Sequence, residues 1–520
     1  MTLKYLSVID EATEPGRREL FRFGIALVFV VGILLYTGTQ FGDVSYLMVV
    51  AGIVGGYMAM NIGANDVANN VGPAVGARAL TMAGAIVIAA VCEAAGALIA
   101  GGDVVGTIRN GIIAPGAVAD ADVFVWLMLA AMLAGALWLN IATAVGAPIS
   151  TTHSIVGGVL GAGVAAGGWG VVDWAKVGQI AASWVVSPVL GGMIAAACLL
   201  LIKRTITYKA DVTEAAARMV PLLIAAMTWA FSTYLVLKGL KHVIRLGFLP
   251  ALGLGCVLAA LVLAVCRPFI VRLAHSLPND KRSVNRLFTV PLIFAAALLS
   301  FSHGANDVAN AVGPLAAIHD AVLAGAVGSE AHIPLWIMLI GALGIAIGLA
   351  LYGPRLIRTV GSEITDMDQM RAFSIAMAAA TTVLVASQFG LPVSSTHIAV
   401  GGVFGVGFLR EYIKSSHANM LLEIRHHHQG ADQAVVEDFL DRYEKASLEQ
   451  KALMLAELKR QSAVSPLSPD ERKMLKKAYR KALVKRTALL KIVAAWLITL
   501  PVSGAMAALL YFMIRGMLLP

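Results

Sequence analysis

Long apolar stretches dominate the pattern of hydrophobic and polar positions along this chain. They recur from near the N-terminus to the C-terminus and are separated by short polar loops. Each is long enough to cross a bilayer as a helix. We predict spans near residues 21–39, 44–75, 80–101, 123–143, 148–166, 174–202, 219–238, 248–267, 288–318, 333–352, 371–388, 392–410 and 489–515. The pattern therefore predicts an all-α polytopic membrane protein with about 12–13 spans, several of them broken or re-entrant because they contain Gly, Pro or polar clusters.

The composition excludes an ordinary soluble domain. Hydrophobic residues make up 58% of the chain and charged residues 14%, and the mean hydropathy is +0.79. The four cysteines lie in apolar runs without Cys-x-x-Cys or Cys/His spacing, so we expect neither a disulfide nor a structural metal site. The net charge of +9 comes from basic residues that flank the spans. We therefore expect no nucleic-acid partner.

Basic loops predict the orientation of the spans. The N-terminal segment and the loops 203–218 and 268–287 carry clusters of Lys and Arg, and all three fall on one side in the span count. The positive-inside rule makes that side cytoplasmic in a multi-pass protein of the cell (inner or plasma) membrane. The loop 238–247 disagrees, because it holds Lys238, Lys241 and Arg245 and yet falls on the outer side.

One segment differs in kind from the spans around it. Residues 411–488 hold 15 Lys/Arg and 11 Asp/Glu and contain two Ser-x-x-Glu/Gln capping signatures. We predict a charged cytoplasmic helical insertion that precedes a final span. Eight of its basic residues lie between Arg472 and Arg486, directly before the membrane. They predict anchoring at the membrane surface and contact with membrane lipid.

The chain contains an internal repeat of about 240 residues. The sequence GANDVANNVGP at 63–73 recurs as GANDVANAVGP at 304–314, with ten of eleven positions identical. The sequence PISTTH at 148–153 recurs as PVSSTH at 392–397. By the predicted topology the first copy runs from outside to inside and the second from inside to outside. Inverted repeats with polar, interrupted segments at matching positions are typical of secondary transporters, whose sites lie where the repeats meet.

The repeat and the composition divide the chain into six parts. We predict an N-terminal polar segment with an extra span (1–40), a first inverted repeat (41–218), linking spans with a basic loop (219–287), the membrane part of a second inverted repeat (288–410), the charged insertion (411–488) and a final span (489–520).

The repeated motif places an acid deep in each apolar run. A carboxylate at the bilayer centre costs about 2.5–3.5 kcal/mol on insertion scales, so Asp66 and Asp307 are expected to bind a coupling cation or proton. The glycine and proline at the ends of each motif suit a helix that breaks and restarts, and amides at a restarted helix favour an anion. The alternative for the motif asparagines is that they only join helices.

Amide and hydroxyl donors accompany the acids in both copies. Asparagine pairs four residues apart share a helix face, and the Ser/Thr turns after the second motif's proline resemble an anion cradle. We predict a phosphate-binding set of Asn65, Asn69, Ser150, Thr151, Thr152, Asn306, Asn310, Ser394, Ser395 and Thr396. We expect a supporting role around this set for Asn70, Glu93, Arg109, His153 and His397.

The combination of acids and oxyanion donors predicts coupling. An anion is repelled by the two carboxylates unless cations or protons neutralise them, so the affinity for substrate depends on the bound cation. Phosphate fits this site better than sulfate, because near neutral pH phosphate keeps P–OH protons that a carboxylate can accept.

At these residues the chain resembles the inorganic phosphate transporter (PiT) family. The resemblance covers nearly all membrane segments and implies a non-enzymatic, Na⁺- or H⁺-coupled symporter of inorganic phosphate, without another cofactor and assembled as a homodimer. The chain departs from the family pattern at Ala311, which occupies the position in the second copy that Asn70 occupies in the first. A sulfate permease or metal-phosphate/H⁺ symporter on the same scaffold stays open, and a passive anion channel is a further alternative.

Overall fold

The computed structural model describes residues 3–41, 45–114, 116–118, 120–147, 149–239, 246–324, 333–363, 367–426 and 486–518, and this described part is almost entirely helical. Its helices are α1 (Leu3–Gln40), α2 (Ser45–Asn65), α3 (Val67–Gly76), α4 (Met82–Ala100), α5 (Gly102–Asn110), α6 (Ala121–Val145), α7 (Thr151–Gly167), α8 (Trp174–Ile202), α9 (Val212–Lys238), α10 (Phe248–His275), α11 (Lys281–Leu287), α12 (Thr289–Asp307), α13 (Ala309–Ala324), α14 (Leu335–Glu363), α15 (Gln369–Gln388), α16 (Ser395–His426) and α17 (Arg486–Leu518).

Eleven helical segments of the described residues are long and apolar enough to cross a membrane, which confirms the polytopic class. The predicted total was about 12–13. The two predicted spans that do not qualify are α7 and α16, which begin with buried hydroxyl residues and a histidine. Helix α7 has only 17 residues, and the polar first turns lower the mean hydropathy of both helices. These turns lie inside the protein, where Ser150 and Ser394 accept hydrogen bonds from the amides of His153 and His397. Residues 427–485, the greater part of the predicted charged insertion, lie outside the described residues.

Large apolar side chains cover the outside of the described helices. On α10 the most exposed include Leu249, Val257, Leu261, Val265 and Phe269. The interior, by contrast, contains many buried polar side chains from the two repeated motifs. This distribution reverses that of a soluble protein and is the one that a lipid environment stabilises.

The packing of the helices repeats along with the sequence. In the first half α2 packs along α14, and in the second half α12 packs along α4. Helix α17 covers α7, whereas α8 covers α16. Each half of the chain therefore supplies helices to the other, and neither repeat could bury its motif helices alone. The opposite orientation of the two halves in the membrane stays a prediction.

Glycines allow the backbones of these exchanged helices to touch. A Cβ atom added at Gly161 of α7 would lie 2.0 Å from the carbonyl oxygen of Gly504 in α17. In the other half, a Cβ at Gly405 of α16 would lie 2.0 Å from the carbonyl oxygen of Gly192 in α8. Small residues permit such close crossings, and van der Waals contact then replaces the hydrophobic driving force that lipid removes.

The structure gives a partner to one residue of the conflicting basic loop. Lys238 at the end of α9 lies with its Nζ 2.5 Å from Oδ2 of Asp103 in α5, so its charge is paired. The positive-inside rule counts basic residues and not net charge, so the pairing does not remove the conflict. Lys241 and Arg245 lie outside the described residues.

We expect Gly161→Ala to destabilise the fold by about 1–3 kcal/mol, the cost of overpacking a close contact. The added methyl group would overlap a backbone carbonyl, which cannot move as a flexible side chain can. Gly253→Ala is the matched control, because nothing lies within 4 Å of its added Cβ. Thermal unfolding of both variants in detergent tests this, and equal midpoints would contradict the close crossing.

Candidate functional site

Each copy of the repeated motif forms two helices joined by one residue. Helix α2 ends at Asn65 and α3 begins at Val67; α12 ends at Asp307 and α13 begins at Ala309. The linking residue Asp66 keeps near-helical angles, with φ −85° and ψ −37°. The predicted break is therefore a brief interruption of the helix and not an unwound stretch.

The glycines and prolines of the motif do not make this interruption. Pro73 and Pro314 lie inside α3 and α13, beyond the break. A Cβ at Gly63 would lie 1.9 Å from a carbonyl oxygen of α14, and a Cβ at Gly304 would lie 2.1 Å from one of α4. These glycines let the crossing helices approach each other, which is a different role from the one that the sequence suggested.

The first asparagine of each motif fastens the loop that leads into the hydroxyl turn. Asn65 donates from Nδ2 to Thr143 Oγ1 (2.9 Å) and to the carbonyl oxygen of Ala147 (3.2 Å). Its Oδ1 accepts from the amide of Ile149 at 3.1 Å. The second copy repeats the arrangement. Asn306 donates from Nδ2 to Ser387 Oγ (2.9 Å) and to the carbonyl oxygen of Leu391 (3.1 Å), and its Oδ1 accepts from the amide of Val393 at 3.3 Å. Both predicted phosphate ligands are thus engaged with the loop in this structure.

The carboxylate of Asp66 joins the two repeats. Thr151 donates to its Oδ2 at 2.6 Å, and Thr396 donates to its Oδ1 at 2.9 Å. Asn69 in turn donates from Nδ2 to Thr396 Oγ1 at 2.8 Å. Since Thr151 begins α7 and Thr396 lies in the first turn of α16, one buried acid accepts hydrogen bonds from hydroxyl groups of both halves of the chain.

The second acid has a related but unequal set of partners. Ser395 donates to Oδ2 of Asp307 at 3.1 Å. Asn310 donates from Nδ2 to Thr151 Oγ1 (3.1 Å) and to Thr152 Oγ1 (3.3 Å), which again crosses between the repeats. The structure thereby brings eight predicted site residues into one buried cluster: Asp66, Asn69, Thr151, Thr152, Asp307, Asn310, Ser395 and Thr396.

The first serine of each hydroxyl turn caps a helix. Ser150 Oγ accepts from the amide of His153 at 3.1 Å, and Ser394 Oγ accepts from the amide of His397 at 3.3 Å. A serine at this position satisfies an amide that the first helical turn leaves without a partner. Ser150 and Ser394 were predicted to bind phosphate; here their hydroxyls hold the ends of α7 and α16.

The two motif histidines pack against each other between the repeats. The rings of His153 and His397 have centroids 4.5 Å apart. Trp184 lies 3.9 Å from the first ring and Trp496 lies 3.7 Å from the second. These aromatic contacts lie at the first turns of α7 and α16, which carry the hydroxyl groups. A supporting role for the two histidines stays a prediction.

His303 is a residue of the cluster that the motif comparison missed. Its Nδ1 lies 2.6 Å from Oε2 of Glu93, and its Nε2 lies 3.0 Å from Oδ2 of Asp307. Asn70 completes the chain by donating to Oε1 of Glu93 at 2.8 Å. The available signal was spacing, because His303 precedes Asp307 by four residues and therefore shares its helix face.

This polar chain has no counterpart in the other copy. The offset of 241 residues between the motifs gives the equivalents of His303 and Asn70. The matching contacts of Gly63 with α14 and of Gly304 with Glu93 give the equivalent of Glu93. The three equivalent positions are apolar: Ile62, Ala311 and Ile345. The polar residues are thus replaced together, and the repeated site has one polar flank and one apolar flank.

The cluster has the composition of a cation site. Ligand atoms of Asp66, His303 and Asp307 lie within 4.8 Å of one another, and all three residues are buried. The Oδ1 atoms of Asn69, Asn310 and Asp307 are buried and find no hydrogen-bond partner in the described part of the protein. Carboxylate and amide oxygens are the ligands that hard cations prefer. These residues therefore fit a coupling cation.

Arg109 is the predicted residue that the structure places elsewhere. It forms a buried ion pair with Asp320, which joins α5 to α13. The guanidinium of Arg109 is thus engaged with an acid of α13, and removing either partner would leave an uncompensated charge in the protein interior.

The chain is similar to known proteins over most of its length. The profile of the "Phosphate transporter family" matches residues 62–507. A Helicobacter pylori (strain J99) protein named "Putative phosphate permease" is 51% identical, and the match covers 98% of each chain. A Pyrococcus abyssi protein that is also named as a phosphate permease is 40% identical over 69% of this chain and 88% of its own. A solved structure, "The sodium-dependent phosphate transporter", has a TM-score of 0.74 and 32% identity, and the match covers 91% of this chain and 100% of that one.

We expect Asn306 and Ser387 to be energetically coupled. Asn306→Ala leaves a buried hydroxyl, a carbonyl and an amide with fewer partners, at about 1–3 kcal/mol for an unsatisfied group. A double-mutant cycle with Ser387→Ala, followed by unfolding in mixed micelles, should give a coupling of about 0.5–3 kcal/mol. Additive effects of the two substitutions would show that the side chains do not interact.

Proposed function

The chain belongs to the phosphate transporter family, and we propose that it is a secondary active transporter that carries inorganic phosphate across the membrane in symport with Na⁺. The observation that carries the proposal is the buried carboxylate of Asp66, which accepts hydrogen bonds from hydroxyl groups of both repeats. A site shared in this way links substrate binding to the relative position of the two halves. Alternating access depends on that link.

Competition for hydroxyl protons supplies the coupling. A threonine hydroxyl has one proton to donate, and in this structure Thr151 and Thr396 donate theirs to Asp66. A phosphate oxyanion can accept these hydrogen bonds only when Asp66 no longer does. A cation that takes over the carboxylate releases both hydroxyls to the anion. Because each ligand then raises the affinity for the other, the two bind as a unit.

The ligand set supports Na⁺ as the coupling ion. The Oδ1 atoms of Asn69 and Asn310, which have no hydrogen-bond partner among the described residues, suit a hard cation. The similar solved structure is that of a transporter named as sodium-dependent, which supports the same ion. A specific feature also favours proton coupling as the second candidate: His303 bridges Glu93 and Asp307, and an imidazole between two carboxylates can relay a proton.

The same geometry supports phosphate over sulfate. Asp307 Oδ1 is a buried acceptor to which none of the described residues donates. Phosphate near neutral pH keeps a P–OH group that can donate to such an acceptor, whereas sulfate has no proton to offer. A site built to accept a substrate proton rejects an analogue that lacks one, because the buried acceptor is then left unpaired.

The site belongs to a closed conformation. Asp66, Asp307, Thr151 and Thr396 are at most 1% exposed. Transport therefore requires a rearrangement that opens the cluster to one side and then the other. Placement in the cell membrane with a cytoplasmic N-terminus, the inverted orientation of the repeats and a homodimer remain part of the proposal.

We expect an inward Na⁺ gradient to drive concentrative uptake of labelled phosphate into proteoliposomes. The physical reason is that Na⁺ must neutralise the buried acids before the anion can bind. Uptake that a pH gradient drives and that does not depend on Na⁺ would identify H⁺, and not Na⁺, as the coupling ion. Excess sulfate should compete weakly, and uptake that neither gradient drives would contradict symport.

We expect Asp66→Asn and Asp307→Asn each to abolish concentrative uptake while the protein still folds. The amide keeps the size of the acid and one acceptor oxygen, replaces the other oxygen with an NH₂ donor, and removes the charge that binds the cation. Asp122→Asn is the matched control, because Asp122 is an exposed acid in the first turn of α6. Uptake, measured beside size-exclusion profiles in detergent, tests this; normal transport by both variants would show that the acids are structural.

A further inference from the structure

A cavity of about 540 Å³ lies beside the site, between α1, α2, α6 and α14. Arginine and amide side chains line it on the protein side, and α1 supplies an apolar wall. The residues that matter for its chemistry are Arg22, Tyr57, Asn61, Asn140, Thr143 and Arg355. None of them belongs to the carboxylate cluster described above.

Two arginines face this cavity from different helices. Arg22 of α1 is held by Glu19, with Nη1 and Oε1 2.5 Å apart, and lies over the ring of Tyr352 at 5.7 Å from its centroid. Arg355 follows Tyr352 by three residues, so both lie on one face of α14. Arg355 also donates from Nη1 to the carbonyl oxygen of Ala144 at 3.1 Å. The described side chains that line the cavity thus include two guanidinium groups and one carboxylate.

The polar floor of the cavity continues to the site. Asn140 donates to Oδ1 of Asn61 at 3.3 Å, and both side chains line the cavity. Thr143, the next lining residue, accepts a hydrogen bond from Asn65 at 2.9 Å. Asn65 immediately precedes Asp66. The Asn65–Thr143 hydrogen bond thus connects the lining of the cavity to the residue that precedes Asp66.

The equivalent position in the other half carries the opposite charge. Glycines at matching helix crossings of α4 and α14 are 252 residues apart. The same offset makes Asp103 the equivalent of Arg355 in the first half of the chain. Asp103 is neutralised by Lys238, whose Nζ also lies 3.4 Å from the carbonyl oxygen of Gln388. Each half thus has a cation at the end of α6 or α15, and these two cations are Arg355 and Lys238.

We propose that this cavity is a second phosphate-group site in which Arg22 and Arg355 bind the anion. Guanidinium groups match phosphate oxygens through paired hydrogen bonds. Because the polar floor leads to Asn65, we assign the site to inorganic phosphate on its way from the cluster to the predicted cytoplasmic side. The inference rests on the proposed function. The family profile begins at residue 62, so α1 adds Arg22 to the core that the profile covers.

A phospholipid headgroup shares this chemistry. Phe23, Leu27 and Val30 of α1 form an apolar wall that an acyl chain could follow. The two sources predict different dependences. Free phosphate acts in neutral lipid and competes with transported phosphate from the cavity side, whereas a headgroup acts only when anionic lipid is present.

The test uses the full chain with Arg22→Gln, Arg355→Gln and the double substitution. Arg218→Gln is the matched control, because Arg218 is exposed and paired with Glu214 on α9. Arg22→Lys and Arg355→Lys keep the charge and guard against a loss of folding, which size-exclusion chromatography monitors. Sodium-driven uptake into right-side-out and inverted membrane vesicles is measured against graded phosphate on the far side of the membrane.

We expect phosphate on the cavity side to inhibit wild-type uptake. The double variant should need about a 3–10-fold higher phosphate concentration for the same inhibition, because it has lost charge-assisted hydrogen bonds to the anion. The KM on the opposite side should not change, and the lysine variants should lie between. A second arm compares proteoliposomes of phosphatidylcholine alone with proteoliposomes that also contain phosphatidylglycerol.

Unchanged inhibition, together with a loss of phosphatidylglycerol stimulation in the double variant, would assign the site to a lipid headgroup and overturn the release role. No difference in either arm, or an equal shift in Arg218→Gln, would overturn the site itself. An absence of sodium-driven phosphate uptake by the wild type would instead contradict the proposed function, whatever the arginine variants do.

Discussion

The hydrogen bonds from Thr151 and Thr396 to the buried carboxylate of Asp66 are the interaction on which the rest of the structure depends. A carboxylate inside an apolar protein is costly unless donors or cations surround it. The chain meets this requirement by bringing one hydroxyl from each repeat to the same acid. The two halves are thus joined at a point where charge must be compensated, and any ligand that changes that charge also changes the contact between the halves.

The packing around this point explains how hydroxyl turns more than 240 residues apart reach one acid. Glycines at the crossings of α7 with α17 and of α8 with α16 let backbones touch, so each repeat is closed by a helix of the other. Asn65 and Asn306 then fasten the loops before α7 and α16. Side chains that the sequence predicted to be ligands therefore serve to position the hydroxyls that meet the acids.

The repeats are not equivalent, and the differences are grouped. His303, Glu93 and Asn70 contact one another on one flank, while the matching positions hold Ile62, Ile345 and Ala311. A similar contrast holds away from the buried cluster. Arg355 in one half has Asp103 as its equivalent in the other, and Asp103 is paired with Lys238. Duplication supplied a symmetric frame for binding. The substitutions leave the two flanks of the buried cluster chemically different, one polar and one apolar.

The sequence by itself determined the class, the repeat and the family, because length of apolar runs, motif identity and spacing are local properties. It also identified most of the buried cluster, since a repeated acid in an apolar run has few structural uses. Only the tertiary structure decided which residues share that cluster. Arg109 paired with Asp320, His303 reached Glu93, and Thr396 reached Asp66. The reason is physical: a hydrogen bond depends on where a partner about 80 to 330 residues away is packed, and no local pattern records that distance.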